Sequence, residues 1–400
     1  MKPSIILGSY FLLVVTTISL VGHYLNQNLL AESHFLNWDA AHYFSISQGD
    51  YSGFKTAFFP SFPMTWRFLG FTIYGIVLFN TVVYLASFYW ISTVFSFSFL
   101  QKLVFLTLPS SVFYFLPYTE SLFFLFSSIV LIGLHKKIKY AVLIGLFLCV
   151  LSRPVFTVLV PALCITYLFT ETSWKQKVLH CIQVLGMALL GFLTVLSIQY
   201  AHNHTTENYL TVQQGWGNYL QIPKLPLTSW AGGFNVRLDG IALLMSILAG
   251  LFLILKIKVK GVKIKQLPPV FLLSVLYLVG IGLLVLLFRG GSLFSLNRFV
   301  FATPFFLIVF QYWLRFDFRL SKKQLIFIGL GIFLFWLLFG SYVHIQVMLK
   351  CLLVTLYLLL IFIVKTTNKQ VNTVLYLLIG LNFIFQIILF YRFLSNIWVG

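Results

Sequence analysis

Acidic side chains are nearly missing from this 400-residue chain, which carries 8 Asp and Glu against 27 Lys and Arg. Each acid therefore needs a reason, above all one placed near a membrane. No Asp-x-Asp pair occurs, which argues against a nucleotide-sugar enzyme that holds diphosphate through a metal. Four cysteines (Cys149, Cys164, Cys181, Cys351) form no CxxC pair, so neither a zinc site nor a disulfide framework is indicated. They read instead as small core residues. His202-Asn203-His204 lacks an acid or thiol to complete a metal site and reads as solvated loop, with a formal glycosylation sequon at Asn203. There is no 20–50-residue repeat and no low-complexity linker. The apolar run over residues 4–21 is longer than a signal-peptide core and has no convincing cleavage site, so it is expected as a retained first helix.

What the chain has is apolar surface. Hydrophobic residues make up 60% of it and the mean hydropathy is +0.97. A soluble domain of this size could not hide so much, so the expectation is an all-α polytopic membrane protein, with residues 1–400 forming one integral-membrane domain in a lipid bilayer. A 20-residue ruler marks thirteen segments: 4–24, 68–98, 103–117, 120–134, 140–151, 154–170, 178–198, 240–255, 268–288, 299–314, 324–341, 344–364 and 371–391. The expected bundle has about 11–13 transmembrane helices. Segment 68–98 is long enough to tilt or to break near Asn80, and 140–151 is short enough to be half of a re-entrant hairpin. The net charge of +19 falls in short clusters between these spans, as topology determinants and headgroup contacts do, and not as a nucleic-acid surface. With the N-terminus in the cytoplasm, 18 of the 27 basic residues lie on the cytoplasmic side. The two longest polar connections, 25–67 and 199–239, and most acids then lie on the outer face.

The 25–67 connection carries Asn37-Trp38-Asp39-Ala40-Ala41-His42-Tyr43. Residues 38–48 read as a short interfacial helix with Asp39 in its first turn, so that Asp39, His42 and Tyr43 share one face. Helix capping is the plain alternative for Asp39. Gly49-Asp50-Tyr51 follows, then Phe58-Phe59-Pro60-Ser61-Phe62-Pro63, a stiff turn back towards the membrane. A second acid, Glu120 in Tyr118-Thr119-Glu120-Ser121, sits between two apolar runs, where an acid more often lines a polar cavity. Arg153, in Ser152-Arg153-Pro154, is stranded at an outer hairpin tip. Two acids and a base on one membrane face begin to resemble a site. A later outer loop holds Arg289, Gly290-Gly291-Ser292 and Asn297-Arg298, which also reads as a tight charged turn. Gln213-Gln214-Gly215-Trp216-Gly217 reads equally as a sugar-contacting loop or an interfacial anchor.

In order and spacing, Trp38-Asp39-Ala40-Ala41-His42-Tyr43, Gly49-Asp50-Tyr51, Phe58-Phe59-Pro60-Ser61-Phe62-Pro63 and Tyr118-Thr119-Glu120-Ser121-Leu122-Phe123 resemble motifs of the PIG-V-like mannosyltransferases, relatives of GPI mannosyltransferase II with many bacterial members. The resemblance covers the first third of the chain and departs at Ser152-Arg153-Pro154, so the acceptor stays open. It implies a GT-C bundle that takes a hexose, with mannose the expected sugar, from a polyprenyl- or dolichyl-phosphate carrier to a glycan or glycolipid hydroxyl on the non-cytoplasmic face. Asp39 is then the expected catalytic residue, with Glu120 in the same cavity. Trp38, His42, Tyr43, Asp50 and Tyr118 are expected to bind substrate. The chemistry suits these types: a lipid phosphate leaves readily, so a base for the acceptor and cations for the phosphate suffice. Arg153, Arg289 or Arg298 would hold the phosphate. Attack without a covalent intermediate predicts inversion. No metal and no cofactor beyond the lipid-linked donor is expected, and a bacterial plasma membrane is the expected location. The rival reading is a transporter or flippase of lipid-linked saccharides, which calls for mid-bilayer charges and repeat-related broken helices; an envelope oligosaccharide ligase or polymerase would use a large late loop.

Overall fold

In hydrocarbon, a long apolar segment must satisfy its backbone within itself, and helix is the solution open to a single segment. The computed structural model describes residues 3–400 except 204–208, 231, 317–318, 341–343 and 366–370. Lys2, His204 and Thr205 of the sequon, Glu207, Asp317 and Lys369 thus lie outside the described residues. The chain begins with α1 (Pro3–Tyr24). The first long connection folds into α2 (Glu32–Phe35), α3 (Asp39–Ser47) and α4 (Ser61–Leu69) before α5 (Ile73–Val94). Then come α6 (Phe99–Leu106), a 3-10 turn over Pro109–Phe115, α7 (Glu120–His135), α8 (Lys139–Ser152), α9 (Phe156–Leu168) and α10 (Trp174–Asn203). The second long connection carries α11 (Tyr209–Gly215) and leads to α12 (Gly233–Lys260), α13 (Pro269–Phe288) and the short α14 (Leu296–Phe301). The chain ends with α15 (Pro304–Arg315), α16 (Lys322–Phe335), α17 (Ile345–Ile363) and α18 (Val371–Leu394).

This is an all-α polytopic membrane protein. Among the described residues, eight helices are long and apolar enough to cross a bilayer: α1, α5, α10, α12, α13, α16 (with the turn to Phe339), α17 and α18. A ninth span arises if the 3-10 turn and α7, which meet at 105°, are taken as one. The apolar helices α8 and α9, 14 and 13 residues long, fall short of the ~20 residues a span needs, so the count among the described residues is eight or nine, below the expected 11–13.

Three of the expected spans are broken, and proline explains two of the breaks. Leu108 and Thr303 are extended because the residue before a proline is pushed out of the helical region, so α6 stops before Pro109 and α15 restarts at Pro304. Segment 68–98 divides at Gly70, in the left-handed region at φ 62°, and runs unbroken through Asn80. Asn80 has another task. Its buried amide donates to the Leu116 carbonyl at 2.7 Å and the Tyr118 carbonyl at 2.9 Å. It thereby satisfies the irregular backbone that leads into α7, which lipid could not do.

The hairpin of α7 and α8 depends on close approach. A side chain at Gly133 would meet Ala141 and Val142 at 2.9 Å, and one at Gly145 would meet Val130 at 2.9 Å. Small residues let helix backbones approach in the membrane, and this contact aligns the start of α7 with the end of α8. The first long connection has its own core of Tyr43, Ile46, Tyr51, Phe58, Phe62 and Trp66. Gln199 of α10 ties it down by donating to the Thr56 carbonyl at 2.8 Å.

Candidate active site

Four residues from different parts of the chain converge in a run of alternating charge. Asp39, the first residue of α3, accepts from Arg298 Nη1 at 2.8 Å through Oδ2. Arg298 Nε lies 3.2 Å from Glu120 Oε1, and Arg153 Nη2 lies 3.1 Å from that same oxygen. Two acids and two bases make the run neutral, which is the condition for burying such a group. Its exposure is graded: the Glu120 side chain is 0% exposed, those of Arg153 and Arg298 are 5% and 7%, and Asp39 is 18%. Asp39 is the open end.

The cations are sandwiched by aromatic rings. The Arg298 guanidinium lies 5.1 Å from the Tyr118 centroid and 5.3 Å from that of Phe113, while Arg153 lies 4.9 Å from Phe299. Planar, weakly hydrated guanidinium tolerates this packing better than ammonium would. Burial opposes the Arg298 charge, but Glu120 and Asp39 outweigh it and raise its pKa above the ordinary guanidinium value. Hydrogen-bonding capacity is left over. Glu120 Oε2 and Arg153 Nη1 are buried without a hydrogen-bond partner among the described residues. Only Oδ2 of Asp39 is engaged; Oδ1 accepts no hydrogen bond from any described residue.

The local backbone is set unusually at both ends of the Asp39–Arg298 contact. Trp38, which precedes α3, has φ 58° and ψ −129°, and Ser295, which precedes α14, has φ 63° and ψ 4°. Non-glycine residues in such regions cost on the order of 1–3 kcal/mol each and persist only where tertiary contacts hold them. Trp38 is held edge-on by Trp230 at 5.5 Å and Trp398 at 5.2 Å. Asp39 is not a helix cap, because the cap position belongs to Trp38 and no side chain caps α3.

Sequence reading missed the support beneath Arg298. Asp239, fully buried in α12, accepts from the Asn297 backbone at 2.9 Å, from its side chain at 2.8 Å and from Ser229 Oγ at 2.6 Å. Ser110 donates to Asn297 Oδ1 at 3.0 Å, and the Gly400 carbonyl accepts from Arg298 Nη1 at 3.3 Å. The second long connection therefore braces the site, helped by a bridge between Thr228 and Ser292.

The other expected residues fall into place unequally. Tyr118 touches Arg298, and buried Tyr43 packs edge-on to Tyr118 with centroids 6.2 Å apart. His42 lies against Phe54 at 5.0 Å and Phe58 at 5.1 Å, and burial lowers its pKa although Asp39 pulls the other way. Asp50 is not in the cluster. Lys55 binds its carboxylate, with Ser52 and Ser45, on an exposed turn and holds it well below the usual carboxylate range. Arg289 is also apart, donating to Asn218 and to the Phe294 carbonyl. Trp216 packs on Phe58 and is 46% exposed. No group of three or more His, Cys, Asp or Glu among the described residues is placed to hold a metal ion. Comparisons with protein-family models, curated proteins and solved structures gave no match.

Proposed function

We propose that this protein is a GT-C glycosyltransferase that moves a hexose, mannose in the first instance, from a polyprenyl- or dolichyl-phosphate carrier to an acceptor hydroxyl outside the cytoplasm. The observation that carries the reading is the graded run Asp39–Arg298–Glu120–Arg153, with its free carboxylate oxygen at the open end. Asp39 Oδ1 would take the acceptor proton as the hydroxyl oxygen attacks the anomeric carbon. The bond from that carbon to the phosphate oxygen breaks on the opposite face, so the configuration inverts. Arg298 and Arg153 would offset the charge gathering on the departing phosphate. Glu120, sealed between them, would keep both guanidiniums in place and balance their charge. Unmet capacity at Arg153 Nη1 and Glu120 Oε2 supports a polar substrate at this point.

The N-terminus is assigned to the cytoplasm and the site to the outer face by the basic-residue asymmetry. A second reading, transport of a lipid-linked saccharide, draws on the 105° break just before Glu120, since broken helices mark many transporter sites. It is the one such break among the described residues, without the repeat-related partner that transporters of that kind carry.

The test uses membranes containing wild type or Asp39→Asn, with labelled mannose on polyprenyl phosphate as donor. Transfer to lipid or glycan acceptors by wild type, abolished in an equally well inserted Asp39→Asn protein, is expected. Equal transfer by both would remove Asp39 from the mechanism. Movement of the labelled donor across vesicles without transfer would favour transport.

A further inference from the structure

The far end of the same helices holds a second polar feature. α7 begins at Glu120 and ends at His135, so about 23 Å separate the two. Around that distal end lies a cavity of about 690 Å³, built by the turns and helix ends of α7, α8, α9, α10 and α13. Its cations are Lys137, Lys139 and Lys265, with the imidazoles of His135 and His180, and its one acid is Glu171. None of these three lysines is in an ion pair among the described residues. His180 stacks on Tyr167 with centroids 4.7 Å apart, and its buried Nδ1 has no hydrogen-bond partner among the described residues. Apolar groups such as Leu134, Val142, Leu267 and Val270 form the rest of the wall.

We propose that this cavity binds a phosphate group, the shared chemistry of a phospholipid headgroup and of free phosphate. Three unpaired ammonium groups against one carboxylate leave an excess of positive charge that an anion would neutralise. α8 starts at Lys139, so its first-turn backbone N–H groups and the positive end of its dipole add to the field at the rim, whereas α13 opens on Pro268-Pro269 and offers its dipole without N–H donors at those two positions. Basic pockets between helix ends on the cytoplasmic side are where anionic headgroups bind. Apolar walls beside a basic rim suit an amphiphile. Exposed Ile138, Tyr140 and Trp174 place the hairpin tip and the start of α10 at a lipid boundary. Lysines that serve topology alone need not converge on a shared concavity. Lys322 and Lys323, at the exposed start of α16, have that plain character and lie outside the cavity. The tip itself is rigidly placed, with Lys137 in the left-handed region at φ 59° and Gly133 in tight contact with α8. The inference stands apart from the transfer reaction, because it concerns the opposite end of the hairpin.

The test titrates delipidated, detergent-solubilised protein with short-chain phosphatidylglycerol, or with inorganic phosphate, and counts bound molecules by native mass spectrometry. One phosphatidylglycerol per protein is expected. Lys139→Gln/Lys265→Gln should weaken it on the order of thirtyfold, and Lys139→Arg/Lys265→Arg should restore it. Lys322→Gln/Lys323→Gln should leave it unchanged. Phosphatidylglycerol binding that inorganic phosphate does not displace assigns the site to a lipid headgroup. Binding of inorganic phosphate with the same sensitivity to Lys139 and Lys265 assigns it to the free anion. Failure of both probes to bind, or equal weakening in the Lys322/Lys323 control, would overturn the proposal.

Discussion

Glu120 is the charge whose removal should matter most to the folded state. Its carboxylate is wholly buried between guanidinium nitrogens at 3.1 and 3.2 Å. At an effective dielectric near 20, each contact supplies about 5 kcal/mol of attraction, much of it offset by the cost of desolvating three charges. Deleting one charge does not return the desolvation of the others. Glu120→Gln leaves Arg153 buried with no acidic partner, and the expected loss is about 3–5 kcal/mol. Asp39→Asn is milder, because Arg298 still faces Glu120 and the Asp39 side chain is already 18% exposed. Its expected loss is about 1–2 kcal/mol. The paired variant Glu120→Gln/Arg153→Met restores neutrality and keeps an apolar stem against Phe299, so it should be more stable than Glu120→Gln alone. Thermal unfolding of detergent-purified protein, followed by tryptophan fluorescence, would rank the three. A Tm for the paired variant at or below that of Glu120→Gln would refute the argument from uncompensated charge.

Asn80→Leu should lower stability by about 2–5 kcal/mol, because two buried carbonyls at Leu116 and Tyr118 lose their donor; hydrogen exchange at the start of α7 would report it. Gly145→Leu should separate α7 from α8, where 2.9 Å is already the limit for a single carbon, and a crosslink between cysteines placed across the hairpin should then fail to form. His42 titrates below its ordinary 6.5 because it is buried. A histidine lowered on folding contributes stability that is complete above pH 6.5 and lost as the pH falls through the lowered value. Acid unfolding curves of wild type should therefore drop below pH 6.5 more steeply than those of His42→Gln. Asp50→Asn should leave both transfer and Tm within experimental error, since the Lys55 pair is solvent-screened.

Legibility in the sequence followed scarcity. Asp39 and Glu120 stood out because acids are few and both begin helices beside apolar runs; Arg153 stood out as a base stranded at a hairpin tip. All three lie in the ion-pair run. Arg298 looked like an ordinary charge in a glycine-rich turn, because its partner is 259 residues away and no local pattern records that distance. Asp239 was hidden for the same reason: its partners Asn297 and Ser229 belong to α14 and to the second long connection. Asp50 misled by its place among the motifs, although Ser45, Ser52 and Lys55, all within five residues, already offered a local pairing. The helix class was plain from apolar run lengths. The breaks at Pro109 and Pro304 were also written there, but a 20-residue hydropathy ruler passes over a single proline.

The ion-pair run also imposes an order on synthesis. Glu120 meets Arg153 as soon as the α7–α8 hairpin has been made, and that pair can enter the bilayer already neutralised. Asp39 has no such companion nearby. It must stay in the aqueous phase until α14 emerges and Arg298 closes on it from 259 residues downstream. A nascent chain halted anywhere before α14 would therefore present an inserted helical scaffold with the Trp38–Asp39 turn undocked. The Trp38 backbone, with Trp398 not yet made to help Trp230 hold it at φ 58°, would relax. The site would come into being late, in one step, when the translocon releases the last third of the protein.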